Sequence, residues 1–144
     1  MTDLGPLSYF LGFEFTKVTR GIVMHQRRYA TEVLKRFNML NCNSAITPSE
    51  VGLILEKDGS DEYVDETEYK QIVGSLRYLC HTRPDIEISV GLISRYMQKP
   101  RVSHLLTAKR ILRYIKGTIA IGILFPNNNK SKEEVEVIGY TDAD

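Results

Sequence analysis

Lys70, Gly74, Arg77 and Tyr78 stand at positions i, i+4, i+7 and i+8, which a helix brings to one side. A cation and an aromatic with bare backbone between them suit a broad polyanionic ligand. Phosphates take the cation, sugars pack on the ring, and the missing side chain lets a minor groove come close. Glycine inside a helix costs about 1 kcal/mol relative to alanine, so its presence needs a reason. The same spacing also fits a glycine that lets another helix pack closely, and the residues alone leave both readings open. A second basic set, Lys109, Arg110, Arg113 and Lys116, falls on the polar side of a later helical pattern. It would contact phosphates or form a solvated face.

Other groupings offer less chemistry. His25, His81 and His104, with Cys42 and Cys80, show none of the paired spacings that zinc sites favour. No glycine-rich loop precedes a helix, and Ser75 and Ser94 have no visible nucleophile context.

The 144 residues are 42% hydrophobic and 26% charged, a core-forming composition for about one domain. The net charge of +1 argues for no particular partner, but its distribution does. Residues 50–68 hold eight acids against Lys57 alone, a net of −7. Residues 70–116 carry +8 and residues 17–36 carry +5, so an acidic segment divides two basic zones. No apolar run approaches the roughly 20 residues of a membrane span, no secretory signal is visible, and two cysteines do not make a disulfide framework. An intracellular setting, cytoplasmic or nuclear, is expected.

Strand alternation over 8–16 places Tyr9, Leu11, Phe13 and Phe15 on one face. A turn at Thr19-Arg20-Gly21 and a return strand complete an N-terminal hairpin. Helical spacing follows over 26–37, then a loop over 41–65 long enough to read as a linker or mobile element. Helices are predicted from Glu66 to about Cys80, from Ile86 to Met97 with Asp85 as N-cap, and from Ser103 to Gly117. Segments 119–125 and 134–140 read as a second hairpin. The fold class is α+β, with about four helices between two hairpins.

Several segments are recognisable. Leu4 to Glu14, Tyr69 to Tyr78 ("YKQIVGSLRY"), Thr82 to Ile86 ("TRPDI"), Ala108 to Thr118 and the terminal Gly139 to Asp144 resemble, in order, copia-type retrotransposon polyproteins. That resemblance implies the late part of a reverse transcriptase running into the start of an RNase H domain. Residues 1–25 would be the end of the palm with the primer-grip hairpin around Gly12 and Phe13. Residues 26–118 would be a thumb-like bundle whose Lys70, Gly74, Arg77 and Tyr78 track the template–primer minor groove. Residues 119–144 would be the connection and first RNase H strand, with Asp142 the first RNase H carboxylate and a metal ligand only in a complete domain.

The implied partners are an RNA–DNA or DNA duplex and the remaining palm, fingers and RNase H domains, without a membrane; the parent element would assemble in a virus-like particle. Polymerase chemistry needs clustered carboxylates holding divalent metal, and the family's Tyr-x-Asp-Asp segment is absent from this sequence. Mg2+ is therefore expected for the full-length enzyme and no cofactor for this segment, which binds primer–template but is catalytically silent alone. Two alternatives remain: a non-enzymatic module that docks on protein through the Gly74 face, and an inactive transposon remnant.

Overall fold

The computed structural model describes residues 9–127. Among them, four strands form one antiparallel sheet in the order β1 (Tyr9–Phe10), β2 (Phe13–Val18), β3 (Gly21–His25) and β4 (Ile123–Pro126). Between β3 and β4 come four helices: α1 (Arg27–Arg36), α2 (Glu66–Leu79), α3 (Glu87–Ser94) and α4 (Val102–Gly117). The α+β class and the helix count match the sequence expectation.

The sheet differs from it in two ways. Residues 8–16 are not one strand. Leu11 and Gly12 both adopt positive φ, 52° and 85°, and close a two-residue hairpin in which Phe10 faces Phe13 and Tyr9 faces Glu14. Two consecutive positive φ values match the right-handed twist of the flanking strands. Tyr9 and Phe13 therefore lie on opposite faces, not on one.

The second difference concerns the C-terminal hairpin. Ile123–Pro126 pairs with β3, Met24 opposite Ile123 and Gly21 opposite Pro126, so it extends the N-terminal sheet. A Cβ on Gly21 would lie 2.0 Å from the Phe125 carbonyl oxygen, and only glycine admits β4 this closely. The expected partner segment 134–140 lies outside the described residues.

The bundle follows its sequence pattern closely. The α2 stripe of Tyr69, Ile72, Val73, Leu76 and Leu79 is at most 1% exposed, and each such side chain contributes about 1.5–3 kcal/mol of burial. The Asp65 carboxylate caps α2, accepting from the Thr67 amide at 2.8 Å and more weakly from Glu68. The opposing stripe of α4, Ala108, Ile111, Leu112 and Ile115, is fully buried. The Tyr69 hydroxyl donates to the Ile93 carbonyl, which joins α2 to α3.

The starts of α3 and α4 differ from expectation. A short 3-10 turn at Pro84–Ile86 leads into α3, and Asp85 caps nothing there. Helix α4 begins one residue before Ser103, and the Ser103 amide donates to the Asp61 carboxylate at 2.7 Å. The cap comes from the acidic loop, where these hydrogen bonds from Ser103 hold the Asp61 carboxyl below its ordinary value.

Candidate nucleic-acid interface

Helix α2 presents Lys70, Gly74 and Arg77 to solvent. Lys70 pairs with Glu66 one turn earlier at 2.5 Å. Both side chains are close to half exposed, so this surface pair is worth little and exchanges readily for another anion. A Cβ built on Gly74 meets no heavy atom within 4 Å. No helix packs there among the described residues, and the bare patch faces open space.

Tyr78 has a different role from its neighbours. It is half-buried, and its hydroxyl donates to the Leu11 carbonyl at 3.0 Å. Its ring stacks on Phe13 with centroids 5.9 Å apart and meets Tyr29 edge-on at 4.8 Å. A Cβ on Gly12 would lie 2.5 Å from the Tyr78 hydroxyl oxygen. The β1–β2 turn is thus seated on α2 through Tyr78, which brings Gly12, Phe13 and Tyr78 together beside the Lys70–Gly74–Arg77 strip.

The basic face of α4 is engaged by the acidic loop. Arg113 donates through Nε to the Asn43 carbonyl at 2.8 Å, and Lys116 donates to the Cys42 carbonyl. Arg110 reaches the Thr47 hydroxyl at 3.0 Å and Glu50 at 3.5 Å. Lys109 is half-buried on the same helix. Farther along, Arg101 donates to the Asp61 carbonyl and the Tyr63 hydroxyl, its guanidinium 4.2 Å above the Tyr63 ring. Buried His104 accepts from the Arg101 amide and bonds the Glu56 carbonyl. The long segment read as a linker is a strap across the bundle. Three of the four residues expected to meet phosphates hold it in place.

One polar cluster escaped the sequence reading. Arg83, 3% exposed, grips Asp85 with two nitrogens at 3.0 and 2.8 Å and Thr118 with two more bonds. Tyr114 donates to the same carboxylate at 2.7 Å. Burial raises the Asp85 pKa, but the hydrogen bonds from Arg83 and Tyr114 outweigh it and hold the carboxyl below its ordinary value. The cluster ties the α2–α3 corner to the end of α4. The Arg-Pro-Asp spacing was its signal, since proline fixes the turn that lets both side chains meet.

Asp142 lies outside the described residues. Among those described, no three His, Cys, Asp or Glu side chains gather as a metal site, and no helix is long and apolar enough to cross a membrane.

Residues 1–51 match the family described as "Reverse transcriptase (RNA-dependent DNA polymerase)". The chain is 41% identical over 142 residues, 99% of its length, to the retrovirus-related Pol polyprotein from transposon RE1 of Arabidopsis thaliana, and spans 9% of that protein. It is 36% identical over 153 aligned residues to the corresponding polyprotein from transposon TNT 1-94 of Nicotiana tabacum, spanning 11% of it. An uncharacterised mitochondrial protein of Arabidopsis thaliana is 35% identical over the whole chain, which spans 58% of that protein. No solved structure matches the chain.

Proposed function

This chain is a relative, over nearly its whole length, of the Pol polyproteins of copia-type transposons, and from that we propose that it is a primer–template-binding segment of a reverse transcriptase. The carrying observation is the Tyr78–Leu11 contact. It joins two segments with separate primer–template roles in the resemblance, the hairpin turn and the α2 strip, into one surface. That surface offers what a duplex backbone requires: exposed cations at Lys70 and Arg77, and the open backbone of Gly74 between them.

The remaining polymerase domains are its protein partners in this reading. Phe10, Leu11 and Phe125, each more than half exposed, are the apolar surface they would cover. In this reading the Mg2+ of polymerase chemistry is held by carboxylates of the remaining polymerase domains.

The test is anisotropy of a labelled blunt RNA–DNA hybrid across a salt series. Affinity falls with salt, and Lys70→Glu lowers the slope of log K against log salt by about 1. Gly74→Asp weakens binding further. Unchanged affinity in a folded Lys70→Glu, Gly74→Asp double variant overturns the reading.

A further inference from the structure

Next to the Tyr78 contact lies an open groove of about 510 Å³ lined by Tyr9, Gly12, Arg28, Tyr29, Glu32 and Tyr78. Its volume is that of a small-molecule site, and its walls are unusually aromatic and held in place. Tyr78 is fixed by its hydrogen bond to Leu11, and Tyr29 by its edge contact with Tyr78. The Glu14 carboxylate, 12% exposed, accepts from the Arg28 amide at 2.9 Å and meets Arg28 Nε at 3.2 Å. That second contact sets the guanidinium 5.6 Å above the Tyr9 ring, while the Arg28 side chain remains 74% exposed. Tyr9 is 54% exposed. Rigid π-surfaces beside an available guanidinium match a base and its phosphate.

We propose that this groove takes one unpaired nucleotide at the end of a bound duplex. The base lies on the tyrosine surface and the phosphate on Arg28. Glu32 repels a second phosphate and accepts from an exocyclic amino group, which favours adenine or cytosine over thymine. The inference rests on the nucleic-acid reading above. It differs from that reading in naming a single-stranded subsite on the α1 side of Tyr78, away from the Lys70–Gly74 strip.

The experiment compares the blunt hybrid with the same hybrid bearing a 3′ tail of four dA or four dT. The dA tail raises affinity about tenfold, the dT tail by less, and both gains vanish in Tyr9→Ala and in Arg28→Ala while blunt-duplex affinity is kept. Tyr9→Leu keeps apolar bulk without the π-face and serves if the alanine variant does not fold. A tail gain unchanged by these substitutions, or no gain at all, overturns the proposal. If the hybrid does not bind, oligo-dA alone is titrated by NMR. Shifts centred on Tyr9 and Tyr29 support the groove even as the duplex reading fails, and silence there overturns both.

Discussion

The Tyr78 hydroxyl donates to the Leu11 carbonyl at 3.0 Å, and Leu11 is a non-glycine residue at φ 52°. A branched side chain in the left-handed region costs about 1–2 kcal/mol, and the bond from α2 helps offset it. Tyr78→Phe keeps the ring contacts and removes only this bond, with an expected loss of about 1 kcal/mol by thermal melting. Gly12→Ala is expected to lose more, about 1–3 kcal/mol, because it meets a positive φ and the Tyr78 oxygen together.

Gly74 is expected to behave in the opposite way. Nothing lies within 4 Å of its missing Cβ, so Gly74→Ala gains about 1 kcal/mol of helix propensity. A higher melting temperature together with weaker duplex binding would show that the glycine serves contact and not the fold. A lower melting temperature would contradict the open space seen there.

Arg83→Ala leaves the Asp85 carboxylate without its bidentate partner and opens a hole against Tyr114. Arg83 is buried but the Asp85 side chain is 33% exposed, so the loss is that of hydrogen bonds to a charged group, about 1.5–3 kcal/mol, readable as a shift in the urea midpoint at constant slope. Arg83→Lys rescues little, since one ammonium cannot serve both Asp85 and Thr118.

Acid stability has two limbs. Burial and then Arg27 push the His25 pKa below 6.5, against the opposing pull of Glu14. Its contribution is complete above 6.5 and is lost as pH falls through the folded value. Asp85, also lowered in the fold, contributes fully above 3.8 and is lost below that. A urea midpoint measured against pH should fall in both ranges, and His25→Gln should remove the upper limb alone.

The strap is expected to loosen when its backbone acceptors lose their donors. Arg113→Ala and Lys116→Ala each cost about 1 kcal/mol and speed proteolytic cleavage within residues 41–65. Glu50→Gln, at an exposed pair, should stay within about 0.5 kcal/mol.

What the sequence made legible followed from periodicity. Five apolar residues at helical spacing predict α2 from Glu66 to about Cys80, and the helix runs to Leu79. The Leu11–Gly12 turn was hidden because Gly12 reads equally as a close-approach glycine within one strand, and nothing in leucine signals positive φ. The strap was hidden because about half of its anchors are backbone carbonyls, which carry no mark in the residue names. For the same reason the α4 bases read as free cations. Tyr78 reads from the sequence as part of the α2 strip, while its engagement with the hairpin depends on chain segments far apart in sequence.

Met24 pairs with Ile123 across about a hundred residues, with the whole bundle between them. For an unstructured chain, closing so long a loop carries a large entropic cost before any ladder bond forms. Once α1 to α4 have packed, the same two segments are already neighbours. The expected order is therefore bundle first and β4 last. In hydrogen exchange the β3–β4 ladder should open well before the core of α2 and α4. The durable part of the molecule is thus expected to be the bundle, and the sheet edge at β4 the part most ready to let go.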